Sequence, residues 1–120
     1  MSTDLHVLGD FIQMDKNKNE EELVFQQFCL DFEIPYEGFP AQMTIFRTQN
    51  IPVDASIVVR NKGTSLLEFH YEYQNGDFES QIVFPNSSIA RVVNDLELAL
   101  IIAPNDEVVG EVELTVWFRV

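Results

Sequence analysis

The sequence predicts an all-β protein: a single-domain, jelly-roll-like antiparallel β-sandwich of eight or nine strands with an N-terminal extension. Three observations carry that prediction. Beyond Leu23, apolar and polar residues alternate with a period of two over most of the chain, the pattern of strands with one buried face. Turn-forming clusters such as Asn61-Lys62-Gly63, Asn75-Gly76, Pro85-Asn86-Ser87-Ser88 and Pro104-Asn105-Asp106 recur at roughly the 8–12-residue spacing of sandwiches and jelly rolls. Ten phenylalanines, and no stretch with a helical period, lean the same way.

At 120 residues the chain fits one domain, long enough to bury roughly two-thirds of the surface its unfolded form exposes. The arm and polar hinge, residues 1–22, read as a candidate connector, and residues 23–120 as the sandwich. Twenty acidic residues against seven basic ones give a net charge of −13. That balance repels phosphates and anionic lipid, so neither nucleic acid nor a membrane is an expected partner. No apolar run approaches the roughly 20 residues of a membrane-spanning helix. Met1-Ser2-Thr3-Asp4 opens without a basic region or an apolar core, so no secretory signal is visible. Synthesis in a cytoplasm is expected, with cell lysis as the route outward. Cys29 stands alone, which leaves no internal disulfide and no cysteine-built zinc cluster.

In order, Leu5, Val7, Gly9 and Phe11 alternate with His6, Leu8, Asp10 and Ile12, and a polar stretch runs from Asp15 to Glu22. Two readings fit: an ordinary first strand with a long loop, or an arm on a hinge that is donated to a neighbour. Leu23 to Ile34 reads as a strand with Val24, Phe28, Leu30, Phe32 and Ile34 on one side. Pro35 to Pro40 is a rigid loop, and Gln42 to Arg47 a short strand. Asp54 to Asn61 follows, with the β-branched run Ile57-Val58-Val59.

The stretch Leu66 to Phe84 is the strongest local signal. Leu67, Phe69, Tyr71 and Tyr73 share one face and Glu68, His70 and Glu72 the other. Asn75-Gly76 predicts a two-residue type I′ hairpin turn, which sets Phe78, Ile82 and Phe84 on the buried face of the return arm. Ile89 to Val93, Leu96 to Ala103 and a final strand from Gly110 complete the set. In the last, Val112, Leu114, Val116, Phe118 and Val120 face in, while Glu111, Glu113, Thr115, Trp117 and Arg119 face out.

Chemistry is sparse. Asp15-Lys16-Asn17-Lys18-Asn19 opens like a calcium-binding EF-hand loop, but Glu20 stands where glycine makes the turn and Gln26 where a bidentate Glu is required. It reads as a solvated loop. Cys29 and His70 have no spacing that forms a nucleophile–base pair. The carboxylate pairs Asp31/Glu33, Glu68/Glu72 and Glu111/Glu113 lie on single strand faces and read as polar faces rather than as acid–base machinery. No catalytic, cofactor-binding or metal-binding residue is assigned, and no cofactor. Exposed aromatic and Arg positions mark contacts with other proteins, so the candidate interface residues are Leu5, Val7, Phe11, Tyr36, Phe39, Trp117 and Arg119.

Five blocks carry a family resemblance. These are Thr44-Ile45-Phe46-Arg47-Thr48-Gln49-Asn50, Ser56-Ile57-Val58-Val59-Arg60-Asn61, Pro85-Asn86-Ser87-Ser88, Asn94-Asp95-Leu96 and Gly110-Glu111-Val112-Glu113-Leu114-Thr115-Val116. In order and spacing they resemble the small β domain of Bacillus-type endospore surface proteins, among them the endospore appendage (Ena) subunits and related exosporium proteins. The resemblance implies a jelly-roll subunit that polymerises into a fibre, with strands augmenting a neighbour's sheet and an N-terminal connector, here Met1 to about Asn19, reaching into neighbours. Appendage subunits of that kind carry cysteines in connector and body. This chain has none in its arm, so covalent locking of the fibre is not expected.

The first functional expectation is therefore a non-enzymatic structural subunit that self-assembles on or from a spore or virion-like surface. Its partners would be copies of itself and other spore-surface proteins. The alternative is a monomeric or dimeric β-sandwich binding module for a carbohydrate or protein ligand. A small cupin-like enzyme ranks last, because two histidines without ligand spacing do not build its metal site.

Overall fold

The structure is a computed structural model describing residues 6–7, 12–13, 23–48, 51 and 53–119, with backbone alone for 6–7, 12–13, 23–25 and 119. Every regular element among them is a strand: β1 (His6–Val7), β2 (Ile12–Gln13), β3 (Leu23–Ile34), β4 (Ala41–Arg47), β5 (Val53–Asn61), β6 (Leu67–Tyr73), β7 (Phe78–Val83), β8 (Ser88–Val93), β9 (Leu96–Ala103) and β10 (Val108–Arg119). One sheet has the order β3-β10-β5-β8, with β1 and β2 both on the outer edge of β3. The other has the order β4-β9-β6-β7.

The eight longer strands form a jelly roll, and the pairing register shows how. Glu72 faces Phe78 beside the hairpin turn, and Leu67 faces Val83 at its far end. Further out, Ala55 faces Val93, Ala41 faces Ala103 and Ile34 faces Val108. The chain is thus one long antiparallel ribbon, with its tip at Gln74–Gly76, rolled into two packed sheets.

Alternation decides what the sheets enclose. In β5, Val53, Ala55, Ile57 and Val59 are buried and the residues between them are not. Leu30, Phe32 and Ile34 of β3, Leu67, Phe69 and Tyr71 of β6, and Val112, Leu114 and Val116 of β10 join them in one core. Each such side chain stabilises the fold by roughly 1.5–3 kcal/mol relative to exposure. Two positions fix the close approaches. The Asn61 side chain, 2% exposed, donates to the Ser65 and Val83 carbonyls and accepts from the Gly63 amide. At Gly110 the Phe32 ring covers the backbone so closely that a Cβ would lie 2.7 Å from its Cζ.

The hairpin corrects the sequence expectation. Tyr73 accepts from the Gly76 amide at 3.0 Å, and the Tyr73 amide donates to the Asp77 carbonyl at 2.8 Å. Gly76 has φ of +95°, while Asn75 is not left-handed. This is a type I turn with a glycine bulge, a three-residue connection in place of a two-residue type I′ turn. The Asn75 side chain favours it by accepting from the Asp77 amide at 2.9 Å. One extra loop residue shifts the register by one and turns the return arm over. Phe78, Ile82 and Phe84, expected inside, are 64%, 47% and 61% exposed. Val83, Gln81 and Glu79 take the inner positions opposite Leu67, Phe69 and Tyr71.

Candidate functional site

A strand at the margin of a sheet offers unpaired main-chain groups to any other strand, so the margins are the first surfaces to inspect. The sandwich has four. The β3 margin carries the chain's own arm: His6 and Val7 pair with Cys29 and Phe28, and Ile12 and Gln13 with Phe25 and Val24. The β4 margin is short, follows Pro40, and is interrupted by a register shift between Thr44 and Phe46. Among the described residues the β7 and β8 margins each have one neighbour, β6 and β5 respectively.

Polar side chains guard the inner side of the last two. On β7 the Glu79 carboxylate accepts from Tyr71 Oη at 2.9 Å and Tyr73 Oη at 3.1 Å. Arg91 of β8 also acts on Tyr71. Burial, and then the hydrogen bond to Glu79, push both tyrosines above their ordinary ionisation range. Tyr71 of β6 thus interacts with a carboxylate of one edge strand and the guanidinium of the other.

The outer faces differ. On the β3-β10-β5-β8 sheet, Asp31, Glu111 and Glu113 gather around Cys29, with Glu33 further along β3. Arg60 meets Glu113 at 2.8 Å and Lys62 meets Glu111 at 3.0 Å. The hydrogen bond from Lys62 holds the Glu111 carboxyl below its usual range. A hydrogen bond shared with Glu33 raises Glu107. Burial and then the carboxylates of Glu111, Glu113 and Asp31 push the Cys29 thiol up, the opposite of what activates a nucleophile. On the other sheet, Phe78, Ile82 and Phe84 project from β7, with Leu98, Leu100 and Ile102 of β9 beyond the Glu68-His70-Glu72 row. His70 is occupied at both ring nitrogens, by Ser80 Oγ at 2.9 Å and Glu72 Oε2 at 3.0 Å. Among the described residues no group of three or more His, Cys, Asp or Glu could hold a metal ion.

The predicted interface residues do not form one site. Tyr36 and the exposed Phe39 lie in the β3–β4 loop, where Pro35, Glu37, Phe39 and Pro40 help line an open depression of about 370 Å³. Trp117 is half-buried near the opposite end, with Phe25 and Asp54 as its strand partners. Arg119 pairs by backbone with Leu23, and Val7 by backbone with Phe28. Leu5, Phe11 and the Asp15–Asn19 stretch lie outside the described residues. Sequence reasoning missed the Phe78-Ile82-Phe84 row as a surface. Ser80, polar in the midst of that row, was the available signal.

No protein-family profile matches the chain, and no curated protein does. Solved structures do. Over 83% of this chain and 90% of the other, the fold is similar to that of a Bacillus endospore appendage subunit, from a family of disulfide-linked pili, with a TM-score of 0.70 at 17% identity. PirA matches over 77% of this chain and 93% of its own, with a TM-score of 0.49 at 16% identity. The chain thus has the fold of an endospore appendage subunit, as its turn-and-strand blocks imply.

Proposed function

We propose that this chain is a non-enzymatic structural subunit that assembles with copies of itself into a fibre or surface layer at the spore surface. The observation that carries the reading is the set of sheet margins: among the described residues three have no second neighbour, and the fourth holds only the short strands β1 and β2. Likeness to a pilus subunit supports it. Strand addition across these margins supplies main-chain hydrogen bonds, and a head-to-tail contact that does not close generates a filament. In this reading the arm, residues 1–19, exchanges onto a neighbour, and other spore-surface proteins bind the finished assembly. The subunit is made in the mother cell's cytoplasm and reaches the surface when that cell lyses. With Cys29 as the one cysteine the subunit has no internal disulfide, and in this reading strand pairing rather than covalent linkage holds the assembly.

Negative-stain microscopy with light scattering on the same purified sample tests this. Regular fibres or sheets are expected. Monodisperse monomers across concentration, salt and calcium would overturn it. The exposed Phe39 over its depression favours the second reading, a binding module for a carbohydrate or protein ligand. That reading predicts saturable glycan or protein capture lost in Phe39→Ala.

A further inference from the structure

We infer that the N-terminal arm is a cis-acting cap: in the unassembled subunit it occupies the β3 edge of its own sandwich, and a neighbour can use that edge only after the arm has left. The inference rests on the assembly reading above and adds the step that regulates it.

Three observations carry it. First, β3 is paired along its whole length on one side, from Leu23 with Arg119 to Ile34 with Val108. Left bare, its other side would be a long straight row of unpaired amides and carbonyls, the kind of edge that invites indiscriminate pairing. Second, the arm covers that side through two short ladders, His6–Val7 and Ile12–Gln13, both antiparallel to β3. Pairings of two residues are marginal by themselves and open at a small fraction of the free energy that unfolds the core. Third, the sequence between β2 and β3 is Met14 followed by the eight-residue polar run Asp15-Lys16-Asn17-Lys18-Asn19-Glu20-Glu21-Glu22.

Effective concentration then sets the order of events. A short tether holds the arm near its own edge at an effective concentration in the ~mM range. Free subunits at ~10 μM compete at a disadvantage of roughly a hundredfold, so the cis arrangement prevails in dilute solution. Once the other margins have clamped a neighbour in place, its β3 edge is as local as the subunit's own, and the penalty vanishes. Arm exchange therefore follows docking, and growth shows a lag that shortens steeply with concentration.

The register supplies the test. His6 and Cys29 are direct cross-strand partners, and opposed residues in an antiparallel pair have Cα atoms about 4.5–5.5 Å apart, within disulfide reach. The full-length His6→Cys variant is oxidised with oxidised glutathione in dilute solution, then analysed on a non-reducing gel and by mass. A crosslink within single chains is expected. The locked subunit should then grow fibres at least tenfold more slowly than the same variant kept in dithiothreitol, while His6→Ser responds to neither reagent. Crosslinks between chains in dilute solution, or none at all, would overturn the cis seat. Growth of the locked chain at the reduced chain's rate would overturn the capping role. If the crosslink closes within the chain but neither wild type nor reduced variant ever forms fibres, the assembly reading fails, and the regulatory role falls with it.

Discussion

The outer face of the β3-β10-β5-β8 sheet and the outer face of the β4-β9-β6-β7 sheet are laid on similar strands over one core, yet they differ in what they add to their carboxylates. The first carries Asp31, Glu33, Glu111 and Glu113, answered in part by Arg60 and Lys62. The second carries Glu68 and Glu72 as well, beside the exposed row Phe78-Ile82-Phe84. Two copies meeting by the first face bring like charges together, which suppresses that encounter. Meeting by the β7 side of the second face removes apolar surface from water. The difference teaches that charge is carried on both faces, while the exposed row of large apolar side chains lies on one of them, beside the β7 margin.

The comparison depends on one intact interior beneath both faces, so the largest effect is expected there. Gly110→Ala pushes a methyl group into the Phe32 ring and the Arg60 carbonyl. It should lower stability by about 1–3 kcal/mol in a denaturant titration. Next, Phe78→Glu, Ile82→Glu and Phe84→Glu combined would replace the apolar row with charge. Self-association should weaken at least tenfold, or about 1.4 kcal/mol, with the unfolding midpoint nearly unchanged because the row is exposed. Collapse of the fold instead would return these residues to the core and break the comparison at its root.

Smaller effects sharpen it. Tyr71 and Tyr73 have folded ionisation constants above their unfolded ones, so the stability linked to them is present through neutral pH. It is lost as pH rises through the folded values, beyond the ordinary tyrosine range near about 10. Glu79→Gln should bring both back toward that range in an absorbance titration, with its midpoint shifted down. Smallest is Lys62→Met, which should return the Glu111 carboxyl toward its ordinary range in an NMR titration. Its folded constant is depressed, so its contribution is present above the ordinary Glu range near about 4.3 and lost as pH falls below it.

Much of this was legible beforehand, for physical reasons. The strand from Leu23 to Ile34 and the inward set Val112, Leu114 and Val116 follow from alternation alone, because one buried face leaves a period of two in the residues. Parity across a turn is not written that way. Asn75-Gly76 fits two loop lengths, and the choice rests on whether Asn75 goes left-handed or instead receives the Asp77 amide on its side chain. That single alternative moved Phe78, Ile82 and Phe84 from core to surface. The arm posed a different problem: its alternation announces a strand but not whose edge it joins. Alternation marks Tyr71 and Tyr73 as core aromatics but hides the carboxylate they share, because a two-residue turn would set Glu79 on the opposite face.

The ribbon rolled from its tip also dictates when the molecule can become whole. Contacts at the tip join residues a few positions apart, as Glu72 and Phe78 are. The outermost, Leu23 with Arg119, span most of the chain. Long closures carry the larger entropy cost and come late, so folding is expected to be slow and to spread outward from the hairpin. β10 lies between β3 and β5 and pairs with both. On the ribosome it emerges last of the ten strands. Until then β3 and β5 lack their shared partner, and crowded nascent chains are at their most vulnerable to pairing with one another.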